Sequence, residues 1–215
     1  MNLETKVKDY EGNPFKGPCS IAINKENEVL YICDSGYFGT TCLNRPNASL
    51  YIYDLETNVI KPLLQNCLAY ASDLVYDYNR GCLYVAETFA NRIFRLEQNP
   101  IGVYSATHFY QFSGRVGPTA LAIDNNGYLF VGRFEFQNKD KEEVDGLISV
   151  INPDGVLVGE LVLAKMPEIT GLYISFEKID YIYVTEKCSN SVLRIKISNF
   201  MQEVLLSEEN SRNIN

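Results

Sequence analysis

Leu30-Tyr31-Ile32-Cys33-Asp34, Leu83-Tyr84-Val85-Ala86-Glu87, Leu129-Phe130-Val131-Gly132-Arg133 and Ile182-Tyr183-Val184-Thr185-Glu186 are four versions of one five-residue phrase. Each runs aliphatic, aromatic, β-branched, small, and ends in a charge. Equivalent positions lie 53, 46 and 53 residues apart, which is the length of a four-stranded propeller blade rather than of a helical solenoid unit.

What surrounds the phrase repeats as well. In the third copy Ala120 to Ile123 reads as a first strand, Asp124-Asn125-Asn126-Gly127 as a turn, and Tyr128 to Val131 as the second strand. Leu147 to Ile151 is the third, and Pro153-Asp154-Gly155 turns the chain into a fourth over Val156 to Leu163. The same order places first strands at Ile21 to Ile23, Leu74 to Tyr76 and Leu172 to Ile174, and third strands at Ser49 to Tyr53, Arg92 to Leu96 and Ser191 to Ile197. Fourth strands are expected at Val59 to Leu64, Thr107 to Phe112 and Glu203 to Leu206. β-branched and aromatic residues are dense, and no three-to-four period is sustained, so the chain reads as all-β. With no Trp but 15 Tyr and 11 Phe, aromatics should fill the layers between blades while their hydroxyls reach the rim.

At roughly 50 residues per blade, 215 residues give four blades and a remainder. The sequence thus divides into residues 1–16, an outer strand of an incomplete blade centred on Thr5 to Tyr10; residues 17–207, four propeller blades; and residues 208–215, a polar C-terminal tail. The expectation is four recognisable blades of a six-bladed ring or an incomplete propeller, open at one edge and able to self-associate there. A compact four-bladed ring is the alternative.

Composition fits one domain with a real core, 46% hydrophobic and 21% charged. A net charge of −8 argues against nucleic acid and anionic membrane as partners. No apolar run reaches 18 residues and the first six residues have no hydrophobic stretch, so a cytoplasmic location is the default expectation. The six cysteines lack metal-site spacing such as C-x-x-C and read as free thiols, with a Cys33–Cys42 disulfide as the alternative in an oxidising compartment.

Chemistry is sought on one face. In a blade the first strand lines the channel and the second returns antiparallel to it, so first-strand starts and second-strand ends share a face. Register puts Cys19, Ser72, Thr119 and Thr170 at the starts and Asp34, Glu87, Arg133 and Glu186 at the ends. These eight residues form the candidate binding face. A hard divalent cation wants six or more oxygen ligands, several of them carboxylates. Asp34, Glu87 and Glu186 supply three if they converge; otherwise they satisfy nearby loop amides or pair with a base such as Arg133. His108, the only histidine, falls in an outer strand, which disfavours a Ser-His dyad. The long loops Ser35 to Ala48 and Phe134 to Asp145 should rise over the same face and are candidates for recognition.

Several segments carry a family resemblance. Ala71-Ser72-Asp73-Leu74, Val85-Ala86-Glu87-Thr88 and Asn91-Arg92-Ile93-Phe94-Arg95 resemble the gluconolactonase and strictosidine-synthase-like pattern. Gly117 to Gly127 is similar to that superfamily's P-D-G-containing segment. Gly146 to Leu163, with Thr170-Gly171-Leu172 and Tyr183-Val184-Thr185, is similar to the blades that follow in regucalcin-like lactonases. NHL repeats share much of this consensus. The resemblance runs from about Gly17 to Ile197 and implies a six-bladed propeller and, in the lactonase branch, calcium or another divalent ion held by Glu, Asn and Asp. Here Ser72 stands for the family's Asn, Thr119 for its Asp, and Lys16 for the Glu of its E-G-P.

Those departures imply a non-catalytic binding or assembly module with no cofactor, meeting a protein or small molecule at the channel face. On that reading the chain neither binds calcium firmly nor opens lactones. The alternative is a divalent-metal-dependent lactonase or esterase with its site rebuilt from Asp34, Glu87 and Glu186.

Overall fold

The computed structural model describes residues 3–137, 143–175 and 180–212, the last four by their backbone alone. Two compact units divide the chain, Met1–Pro118 and Thr119–Asn215. The fold is that of a β-propeller, with four blades built from small antiparallel sheets.

The first unit opens with a hairpin, β1 (Asp9–Tyr10) against β2 (Asn13–Pro14). Blade one follows as β3 (Pro18–Asn24), β4 (Val29–Asp34), β5 (Ala48–Asp54) and β6 (Val59–Leu68), hydrogen-bonded in that order. Blade two is β7 (Ala71–Asp77), β8 (Cys82–Glu87), β9 (Arg92–Gln98) and β10 (Tyr104–Gln111), with a 3-10 turn at Thr88–Ala90. Blade three is β11 (Gly117–Ile123), β12 (Leu129–Phe134), β13 (Gly146–Ile151) and β14 (Leu157–Leu163). Among the described residues blade four has three strands, β15 (Ile169–Ile174), β16 (Tyr181–Glu186) and β17 (Ser191–Lys196).

The repeated phrase is the second strand of each blade. In blades one to three it is buried nearly throughout, because a middle strand in a stacked blade is covered on both faces, whereas in β16 Tyr183 and Thr185 are exposed. Every residue of β8 is buried. The turns after the inner strands of blades one to three are pinned from within: Asn24 Oδ1 accepts the Glu26 amide at 3.1 Å, Asp77 Oδ1 the Asn79 amide at 2.9 Å, and Asp124 Oδ1 the Asn126 amide at 2.9 Å. In the first unit the expected aromatic layer is present. Tyr31 stacks on Tyr76 at 5.6 Å between ring centres and meets the Tyr104 hydroxyl at 3.1 Å, while Asn24 Nδ2 donates to the Tyr76 hydroxyl at 2.9 Å.

Two segments differ from expectation. No fourth strand forms over Glu203 to Leu206; residues Ser198–Arg212 are an α-helix, α1, which takes in part of the expected C-terminal tail. Phe200, Met201 and Val204 recur at helical spacing, and Met201 and Val204 join Ile148, Val150 and Ile182 in the core of the second unit. At the other end, Thr5 to Tyr10 is not a lone outer strand. Only Asp9–Tyr10 pairs, folding back through Glu11 and Gly12, both with positive φ, as a two-residue hairpin turn requires. Val7, Tyr10 and Phe15 then cover Ile32, Tyr51 and Tyr53 of blade one. In the loop Phe134 to Asp145, residues 138–142 lie outside the described residues.

Candidate functional site

The inner-strand starts are shaped by bulges. Strand pairing skips one residue between Pro18 and Ser20, between Ala71 and Asp73, and between Ile169 and Gly171. The skipped residues are Cys19, Ser72 and Thr170. A bulge leaves its extra residue out of the ladder and re-aims its side chain, so three of the four expected inner-ring residues are bulge residues.

Their side chains latch one inner strand to the next. Cys19 Sγ lies 3.3 Å from Ala71 O and 3.3 Å from Ser72 O. Ser72 Oγ donates to Pro118 O at 3.2 Å and accepts from Thr88 Oγ1 at 2.8 Å. In the second unit, Thr119 Oγ1 donates to Ile169 O at 2.7 Å. Thr170 turns inward on its own blade, its hydroxyl 3.0 Å from that of Thr185.

The acids at the second-strand ends have a different job. Asp34 Oδ1 accepts the amides of Lys16 at 2.9 Å and Gly17 at 2.6 Å. Glu87 accepts the Ala69 amide at 2.6 Å and the Arg92 Nε at 2.6 Å. Glu186 accepts the Glu168 amide at 2.9 Å, and the Ser189 amide and hydroxyl at 2.6 Å each. All three are buried. Burial alone raises the Glu186 carboxyl, but the Ser189 hydroxyl and amide and the Glu168 amide outweigh it and hold that carboxyl below its ordinary value. Arg133 takes the corresponding place in blade three and lies 3.7 Å from Glu160.

These carboxylates do not fit a cation-ligand role. Their oxygens are turned onto amides and a guanidinium, and among the described residues no three of His, Cys, Asp and Glu form a metal-ligating group. Lys16 Nζ is occupied too, donating to Asn47 O at 3.1 Å and to Asn66 Oδ1. His108 lies on β10, at the opposite sheet edge from β7.

One feature of the first unit has no counterpart among the expected site residues. Phe38 from the long β4–β5 loop, Tyr70 from the corner before β7 and Phe89 from the 3-10 turn form an aromatic cluster. Ring centres are 5.1 Å apart for Tyr70–Phe89, 5.5 Å for Phe38–Tyr70 and 6.0 Å for Phe38–Phe89. Phe38 is 64% exposed. Burial raises the Tyr70 phenol, and Tyr70 directly precedes the inner strand β7. Only the loop's length signalled it in the sequence. A partly exposed aromatic cluster of this kind offers stacking and apolar contact to a ligand.

No family model matches the chain. In sequence it is 27% identical over 123 residues to lactonase drp35 of Staphylococcus epidermidis, covering 55% of this chain and 35% of that protein. The Staphylococcus aureus lactonase drp35 gives 26% over 127 residues, 57% of this chain and 36% of that protein. The matched part spans about a third of these curated relatives. In structure it is similar to a gluconolactonase from Xanthomonas campestris, with TM-score 0.68 at 15% identity, covering 88% of this chain and 60% of that one. It is also similar to the calcium-binding protein regucalcin from Agrobacterium tumefaciens, with TM-score 0.57 at 17% identity, covering 74% and 50%. The chain resembles propellers of the gluconolactonase and regucalcin type.

This corrects the expectation of a non-catalytic binding or assembly module that leaves lactones intact. The sequence relatives are lactonases. The expectation rests on Ser72, Thr119 and Lys16 standing where the family has cation ligands.

Proposed function

We propose that the protein is a lactonase-type hydrolase, adding water to the carbonyl of a cyclic ester and releasing the hydroxy acid. The observation that supports this most is the 27% identity to a staphylococcal lactonase over 55% of the chain. The substrate is a small molecule bound where the inner strands begin. In the first unit Cys19 and Ser72 supply the polar floor and Phe38, Tyr70 and Phe89 the apolar wall. Thr119 and Thr170 are the corresponding inner-strand residues of the second unit.

Calcium or another divalent cation goes with this reading, since one structural relative is a calcium-binding protein by name. Asp34, Glu87 and Glu186 do not fit as its ligands. On this reading their task is to fix the loops from which the site rises, because positioning to a fraction of an ångström governs such chemistry. The test is a panel of lactones and aryl esters offered to the purified protein, with calcium, magnesium, manganese or zinc added and with a chelator. Saturable ring opening above the uncatalysed rate supports the proposal; none under any of these conditions removes it.

A further inference from the structure

Cys19 and Cys33 point at one atom. Cys19 Sγ lies 3.3 Å from Ala71 O, and Cys33 Sγ lies 3.3 Å from the same oxygen. Cys19 Sγ is also 3.6 Å from the Cys33 carbonyl. The β3 bulge explains the convergence. Pro18 pairs with Asp34 and Ser20 with Cys33, so Cys19 is the extra residue of the bulge beside Cys33, and a bulge re-aims the side chain of that residue. Two sulfurs that each lie 3.3 Å from one oxygen stand close to each other, and a disulfide forms where the Cα atoms come within about 4.4–6.8 Å. The two thiols differ in access: Cys19 is exposed and Cys33 is buried.

We propose that Cys19 and Cys33 are a thiol pair that a hydroperoxide oxidises to an intramolecular disulfide, with Cys19 as the attacking and Cys33 as the resolving residue. The Cys19 thiolate attacks the near peroxide oxygen, the O–O bond breaks, and hydroxide (or alkoxide) leaves, giving Cys19 sulfenic acid. The Cys33 sulfur then attacks the Cys19 sulfur as its proton passes to the departing oxygen, the S–O bond breaks, and water leaves. Two thiols give up two electrons to one peroxide.

The electrostatics agree with this order. The neighbouring Cys33 thiol, opposed by burial and supported by Ser35, draws Cys19 below the ordinary thiol value. The neighbouring Cys19, followed by burial, pushes Cys33 well above that value. A low, accessible thiol beside a high, sheltered one is the arrangement of an attacking and resolving pair. The disulfide would take both S–H groups from Ala71 O, the first residue of the next blade's inner strand, so oxidation acts on the seam between the two blades of this unit. The inference does not depend on the hydrolase reading.

The test uses the full chain, reduced, treated with hydrogen peroxide, alkylated with N-ethylmaleimide and mapped by mass spectrometry. We expect two thiols lost, one Cys19–Cys33 cross-linked peptide, and full recovery with dithiothreitol. In Cys33→Ala, Cys19 should instead accumulate as sulfenic acid trapped by dimedone, while Cys42→Ser behaves as the unaltered chain. The proposal is overturned if Cys19 and Cys33 both remain alkylated at peroxide doses that oxidise the exposed Cys42, Cys67 and Cys188. It is equally overturned if Cys19 bridges to another cysteine, or over-oxidises in the unaltered chain as readily as in Cys33→Ala. The first readout needs no variant, so a misfolded Cys33→Ala protein leaves it intact.

Discussion

Glu87 takes the backbone amide of Ala69, eighteen residues earlier, at 2.6 Å. Asp34 does the same to Lys16 and Glu186 to Glu168, each across the same eighteen residues. The interval is the length of an inner strand, its turn and the second strand, so every such carboxylate ties the end of the second strand to the loop that enters its own blade. A buried amide left unpaired is costly, and the acid at the end of the repeated phrase meets that need.

Removing one clamp should therefore destabilise the fold. Glu87→Ala leaves the Ala69 amide unpaired and Arg92 without its partner, and the expected loss is about 3 kcal/mol, read from urea unfolding. Glu87→Gln keeps one acceptor oxygen and should lose less. A Glu87→Ala protein as stable as the unaltered chain contradicts the clamp.

The pH dependence has a defined sign. The Glu186 carboxyl is lowered from its ordinary value of 4.5 in the folded state. Its contribution is complete above that unfolded value and is lost as pH falls through the lower folded one. As pH falls below the ordinary value of 4.5 the unaltered chain should lose more stability than Glu186→Gln. Equal losses in the two proteins would show that Glu186 is not held in this way.

Gly117 tests the backbone at the entry to blade three. Its φ is +147°, and a Cβ there would lie 2.0 Å from Thr88 O. Both the conformation and the space require glycine. Gly117→Ala should cost more than about 2 kcal/mol, whereas Gly114→Ala, with nothing within 4 Å of the added carbon, meets only the cost of its positive φ. The measurement is the unfolding midpoint of the two variants side by side.

Most of this fold is legible in the sequence because a middle strand covered on both faces reads as an unbroken apolar run, and Leu83 to Ala86 or Leu129 to Val131 has no other reading at that spacing. Helix α1 is not, because Val204-Leu205-Leu206 is too short an apolar run to separate strand from helix. The telling signal, Phe200 and Val204 one helical turn apart, lies partly before the run. The site was half legible. The inner-ring positions follow from register, but their bulges do not, since pairing irregularities leave no mark in composition. Phe38, Tyr70 and Phe89 come from three separate loops, and only folding brings them together.

That cluster gives a prediction about substrate. Phe38 is largely exposed and touches Tyr70 and Phe89, so Phe38→Ala should leave stability within about 0.5 kcal/mol. On the proposed function it should raise KM for aryl-substituted lactones about two- to twelvefold, since an aromatic contact of this sort is worth about 0.5–1.5 kcal/mol beyond its area. KM for small polyhydroxylated lactones should change far less. Equal effects on both classes would separate the cluster from substrate binding.

The central claim is tested most directly by proton release during lactone opening, followed by pH-stat on the purified, folded protein with an aryl-substituted lactone, with each divalent cation and with chelator. The account predicts saturable acid release above the uncatalysed rate, weakened through KM in Phe38→Ala. Acid release at the uncatalysed rate in every condition, from protein whose unfolding transition is intact, would contradict it.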